Sequence, residues 1–330
     1  MIALITKKCK LRTIVRRPYN NPNSIDLKPT LYRAFLFLFF VIAGSNMTSC
    51  TKDSDSLSIE ESQTSNNESS QESIIDELDD MATSILNNSS VSGSAGGRLI
   101  SVDDRFGCDN TTIDFSSVGA DKTWGTATIT FPVNGCTDKK GNLRKGSIVI
   151  TWKGGKWFNP GSTHTVTMKD YSINNVAVVG SQKVTCTAFK DNPLSVTWTI
   201  KADHTSLWPD GSSANRVINK TRKWDRTATE DTFTVSHGPT SSIAAEGTNR
   251  HGKAYKVYIT NPLVYLGSCA KSNKVFIPVK GEKVVTRVSA SGITKSFTIN
   301  YGDGSCKNTY TVTSGAIVKT LTAKNDSSTD

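Results

Sequence analysis

From Arg98 onward, apolar and polar residues alternate in short runs rich in Val, Ile, Thr and aromatics. Thr111–Phe115, Thr126–Phe131, Ser147–Trp152, Thr163–Met168, Ser172–Val179, Lys183–Phe189 and Ser195–Ile200 form a first series. Thr232–Val235, Lys253–Thr260, Lys274–Val279, Lys283–Val288, Ser296–Tyr301 and Thr309–Val312 form a second. A strict period of two, as in Thr165-Val166-Thr167-Met168, gives a strand one apolar face and one polar face. Turn signals separate the runs, among them Lys140-Gly141-Asn142, Asn159-Pro160-Gly161, Pro209-Asp210-Gly211 and Gly302-Asp303-Gly304. The pattern predicts an all-β domain over 98–330, an antiparallel meander forming a sandwich, an open barrel or one large twisted sheet.

Upstream the pattern changes twice. Ala34–Ala43 is an uncharged apolar run of ten residues that follows a basic stretch ending at Arg33. A membrane span needs roughly 20 apolar residues, so this length suits the core of a secretory signal instead. Small residues Thr48 and Ser49 then precede Cys50, which resembles a bacterial lipoprotein signal covering 1–49, with Cys50 lipidated as the new N-terminus. Lys52, Asp53 and Asp55 resemble the lysine-plus-acids signal that sends such lipoproteins to the outer face of the outer membrane. Segment 50–97 is rich in Ser, Asn and acids and lacks aromatics, the composition of a disordered tether. Within it Ile74, Ile75, Leu78, Met81, Ala82 and Ile85 recur at helical spacing, which predicts a short amphipathic helix over 71–86.

Net charge corrects a first impression. The formal +10 divides into +7 for residues 1–49, −9 for 50–97 and +12 for 98–330. Loss of the first piece on export leaves a modest net charge, so the basic pI does not argue for nucleic acid as a partner. Export also places the remaining thiols in a disulfide-permissive compartment. Cys108 and Cys136 flank two runs, and Cys269 and Cys306 each lie beside glycine near a run's end. These positions predict bridges Cys108–Cys136 and Cys269–Cys306, with Cys186 a free apolar residue inside a strand. A metal site is the other use of such cysteines, but no pair has close ligand spacing.

Catalytic signatures are scarce in the chain. His164, His204, His237 and His251 form no HExxH, and no GxSxG elbow exists. No catalytic residue, metal or cofactor is implied. Two basic-aromatic stretches stand out: Trp152–Phe158, with Lys153, Lys156, Trp157 and Phe158, and Lys220–Arg226, with Arg222 and Trp224. Ring faces and cations suit a sugar or an anionic glycan. In strands, however, alternation would split such clusters between two faces.

Several fragments carry a resemblance. Phe131, Gly135-Cys136-Thr137-Asp138, Arg144-Lys145-Gly146-Ser147-Ile148 and Pro160-Gly161-Ser162 form one group. Gly247-Thr248-Asn249-Arg250, Gly267-Ser268-Cys269 and Tyr301-Gly302-Asp303-Gly304-Ser305-Cys306 form another. Together they resemble a β-rich domain of uncharacterised Bacteroidetes lipoproteins, over roughly 100–315. The resemblance implies a lipid-anchored, strand-rich exported domain without an assigned activity. The expected protein is a surface-exposed outer-membrane lipoprotein with a non-catalytic binding or structural β domain. Its expected partners are the membrane, through the lipid, and glycans or other surface proteins. The alternative is a glycan-binding module, or a carbohydrate-active enzyme, acting on extracellular polysaccharide; the enzyme would need two carboxylates in a cleft.

Overall fold

A computed structural model describes residues 59–89, 107–288 and 294–323. The signal segment 1–49, Cys50, and the Lys52, Asp53 and Asp55 address lie outside the described residues.

The alternating runs form one antiparallel sheet of fifteen strands. Its first part is β1 (Thr112–Val118), β2 (Trp124–Thr130), β3 (Cys136–Thr137), β4 (Leu143–Lys153), β5 (Thr163–Ile173), β6 (Val176–Lys190) and β7 (Ser195–Leu207). The second is β8 (Ser213–Arg226), β9 (Asp231–His237), β10 (Ile243–Thr248), β11 (Ala254–Leu266), β12 (Lys280–Val288), β13 (Thr294–Asp303), β14 (Thr309–Ser314) and β15 (Ile317–Thr322). The order follows the chain, with β3 paired to β4 alone, while β9 and β10 share the space between β8 and β11. A two-sheet sandwich is thereby replaced by one continuous sheet, whose path runs from β1 to β15. A short helix, Gly267–Asn273, interrupts the strands, and Lys274–Val279, expected as a strand, is a connection into β12.

The larger correction concerns the tether. Ile59–Ser89 is a 31-residue helix, α1, far longer than the expected 71–86. Within 61–86 no residue is exposed. The helix carries eight acids and no base, so composition alone argues for a solvated segment. Two things reverse that. Ile74, Leu78, Met81, Ala82, Ile85 and Leu86 join a core with Ile129, Ile148, Ile150 and Val166, while Ile75 joins a second core with Val257, Val285 and Phe297. The acids meet basic side chains on the inner face of the sheet and, at Lys140, on the turn before β4. Glu68 pairs with Arg216 and Lys283, Glu72 with Lys220 and Lys283, Glu77 with Arg144 and Lys140, and Asp79 with Arg222 and His164. A polar helix is buried only where every charge finds a partner, and the sheet supplies them.

The sheet bends where glycines permit it. Gly146, at φ +82°, sits at a register shift between β4 and β5, and a Cβ there would lie 2.0 Å from the Asp170 carbonyl oxygen. Gly281, at φ +112°, marks the shift between β12 and β13, with the Pro262 oxygen 2.3 Å from such a Cβ. Bulges of this kind increase local twist and let a sheet wrap an occupant.

Both expected bridges are present, Cys108–Cys136 and Cys269–Cys306, and Cys186 is free and buried. Its thiol donates to the Phe158 carbonyl oxygen at 3.2 Å, and burial pushes its pKa up, which keeps it in the less reactive thiol form. Non-reducing peptide mapping with a thiol label is expected to return Cys186 as the labelled cysteine of the β domain, and only after unfolding. Its recovery in a bridge would contradict the arrangement.

Candidate ligand-binding site

A cleft of about 840 Å³ opens between the C-terminal half of α1 and the sheet. Four features build it. The connection from β4 to β5 folds inward over β6, held by hydrogen bonds from the Gly161 amide to the Cys186 oxygen and from the Cys186 amide to the Ser162 oxygen, both 2.9 Å. That fold brings Trp157 against Trp198 of β7, which stacks on it at 5.4 Å, and Trp224 of β8 at 6.0 Å. Trp224 stacks in turn on its cross-strand neighbour Phe233 at 6.3 Å. Opposite stands the wall formed by Tyr265, Leu266, the second helix α2 (Gly267–Asn273) and Phe276, tied to the connection after β13 by Cys269–Cys306.

The polar groups of the cleft come chiefly from α1 and β8, with Asp231 of β9 and Tyr265 of β11. Arg222 donates to Asp79 at 2.7 Å, lies 3.5 Å from Asp80 and rests over the Phe233 ring at 4.5 Å. Arg226 covers Trp224 at 4.7 Å and donates to Asp231, which also accepts from the Trp224 indole at 3.2 Å. Asp76 accepts a hydrogen bond from the Tyr265 hydroxyl at 3.4 Å. Burial lifts Asp76 to about 7 against the pull of Arg222, with Glu72 adding repulsion. Asp79 is moved the other way: burial alone would raise it, but the His164 hydrogen bond and the Arg222 charge hold it below the ordinary range.

The expected binding residues therefore divide. Trp157, Trp224 and Arg222 line the cleft. Phe158 packs at its edge, 5.4 Å from Trp157, with the exposed Lys156 ammonium 5.5 Å from its ring. Lys153 points outward from the exposed face of β4, between Trp124 and Thr163. Alternation splits the second stretch as well, with Lys220, Arg222 and Trp224 inside and Lys223 outside, paired with Asp225. Sequence reasoning missed Trp198, Phe233 and Asp76. Trp198 and Phe233 stand in expected strands, and the position of Asp76 depends on a helix that composition disguised.

Of the histidines, His164 is buried against Asp79, His237 and His251 are exposed, and His204 is buried on β7. Burial drives His204 down to about 4; neither its ring nitrogens nor the Gln182 amide finds a hydrogen-bond partner among the described residues. Among the described residues no group of three His, Cys, Asp or Glu side chains could hold a metal ion. No protein-family model, curated protein or solved structure matches the chain.

Proposed function

We propose that this chain is a lipid-anchored protein of the outer cell surface whose β domain binds a neutral glycan in the aromatic cleft without altering it. The targeting half of the reading rests on 1–49, Cys50 and the Lys52, Asp53, Asp55 address. The binding half rests on the cleft. Its volume falls in the range of small-ligand sites, and its rings offer apolar surface to the hydrogen-rich faces of a sugar while Arg and Asp groups suit its hydroxyls. One observation selects a neutral ligand over an acidic one. The lining carboxyls Asp76, Glu77, Asp79, Asp80 and Asp231 match the lining bases Lys140, Arg222, Arg226, Lys271 and Lys274 in number, with Arg222 paired to Asp79 and Asp80, Arg226 and Lys271 to Asp231, and Lys140 to Glu77. A polyanion would meet those acids along with the cations.

Glycoside cleavage needs one protonated and one ionised carboxyl across the scissile bond. Ion pairing keeps Glu77, Asp79, Asp80 and Asp231 ionised but engages their oxygens with arginine or lysine, so the binding reading takes them as acceptors for sugar hydroxyls, and release of reducing ends is the outcome that would overturn it.

The test is calorimetric titration of the full chain carrying Cys50→Ser with neutral gluco-, manno- and xylo-oligosaccharides and with polyuronates, at low and physiological salt. Binding of a neutral series, insensitive to salt and weakened at least tenfold by Trp157→Ala, is expected, with no new reducing ends. Binding confined to polyuronates, or to nothing, would sink the proposal, and released sugar would make the protein an enzyme. Protease shaving of intact cells checks the address: peptides of the β domain should be released without lysis.

A further inference from the structure

We infer that the ligand is an extended oligomer whose chain leaves the cleft over Phe158 and Phe189; this rests on the glycan reading above. The rings of the cleft do not end at Trp157. Beyond the run from Phe233 through Trp224 to Trp157, Phe158 meets Trp157 edge-on at 5.4 Å and 87°, and Phe189 follows at 5.3 Å and 32°. Trp157 thus turns a corner. The rings on its inner side lie within 38° of their neighbours, and the outer pair forms a second platform nearly at right angles to it.

Phe233, Trp224, Trp157 and Phe158 are all half-buried, and the path reaches open surface at Phe189. Phe189 is 38% exposed at the end of β6, beside Lys190, Asp191 and Asn192. A lone exposed phenylalanine needs no explanation. One continuous with a ring-lined cleft extends that cleft onto the surface. The outer platform is also fixed in place. The Cys186 thiol holds the Phe158 carbonyl, the Ser162 hydroxyl donates to the Trp157 carbonyl at 3.2 Å, and the Trp198 indole donates to the same oxygen at 3.3 Å. Rings held rigid before binding lose little entropy on meeting a ligand. Several aromatic side chains in succession exceed what a single sugar ring can cover. Lys156, over the Phe158 ring and exposed, supplies a donor to hydroxyls along that outer stretch.

The experiment uses the full chain carrying Cys50→Ser, with and without Phe189→Ala, titrated with dimers and hexamers of the neutral gluco-, manno- and xylo-series. In the best-binding series the hexamer is expected to bind at least tenfold tighter than the dimer. Phe189→Ala should leave the dimer unchanged and remove most of that gain; circular dichroism and the urea midpoint check that the variant is folded. Equal affinity for dimer and hexamer, or a hexamer indifferent to Phe189→Ala, overturns the extended ligand and leaves the glycan reading standing. Binding of neither overturns both.

Discussion

Replacing Arg144 with alanine is expected to destabilise the protein by about 3–5 kcal/mol. Its guanidinium is fully buried and serves three elements at once: Glu77 of α1 at 2.7 Å, Asp138 of the turn before β4 at 2.7 Å, and the Tyr171 hydroxyl of β5 at 2.6 Å. Burial opposes its charge, but the Tyr171, Glu77 and Asp138 oxygens around it outweigh that and raise its pKa. Truncation leaves the Asp138 carboxylate, itself without solvent exposure, and Glu77 short of a counter-charge. Arg144→Lys keeps a charge but not the planar fork, so an intermediate loss is expected. Arg144→Met combined with Glu77→Gln and Asp138→Asn should recover much of the difference, because the cost arises from charges left buried rather than from the pair itself. Urea denaturation followed by circular dichroism measures all three. A loss below about 1 kcal/mol for the alanine variant would show that the α1 acids do not depend on the sheet.

The pH dependence of stability should carry two opposing contributions that become visible only when separated. Asp76 is raised to about 7 in the folded state. The native form therefore holds a proton that the unfolded chain releases, and stability falls as pH rises from the ordinary aspartate value to about 7. His204 is lowered to about 4. There the unfolded chain binds the extra proton, so stability falls as pH drops from about 6.5 to about 4. Over the shared window these slopes oppose each other, and the wild-type protein should be nearly flat. Below it, Glu72 dominates. Burial would raise this carboxyl, but the Lys220 and Lys283 ammonium groups reverse the effect and hold it at about 2. Its contribution is fully present above the ordinary glutamate value and is lost as pH falls toward about 2. Asp79, lowered as well, acts in the same direction.

Asp76→Asn should thus expose a stability that rises with pH between about 4 and 6.5, and leave the protein more stable than wild type at pH 8. His204→Gln should expose the opposite slope. Each change is on the order of 3 to 4 kcal/mol across the window. Urea midpoints taken at half-unit pH steps decide it. Parallel profiles for wild type and both variants would mean that neither group is buried as described.

Period-two alternation made most of the sheet legible in advance, and glycine-flanked cysteines made both bridges legible. β8 escaped for a physical reason. Its inward residues are Ala214, Arg216, Ile218, Lys220, Arg222 and Trp224, and three cations in the apolar positions erase the alternation. Those cations face inward because α1 brings acids to them. The helix escaped for the complementary reason: its acids read as solvated until the Arg and Lys partners are known. Each segment looks exposed alone, and each is buried by the other. Acids spaced as Glu61, Glu68, Glu72 and Asp79, set beside bases at strand positions of inward parity, were the signal available.

The chain's own pattern determined the all-β class, the strand-to-strand meander, the pairing of the cysteines and the presence of rings and bases near Trp157 and Trp224, because these depend on neighbours a few residues away. Tertiary structure decided which bases face the interior, that an acidic helix is enclosed rather than free, and that Trp157, Trp198, Trp224 and Phe233 share one cleft. Those outcomes depend on charge pairs more than 200 residues apart, such as Glu68 with Lys283 and Glu61 with Arg287. Burial of either partner is unfavourable until the other arrives, so no local window contains the answer.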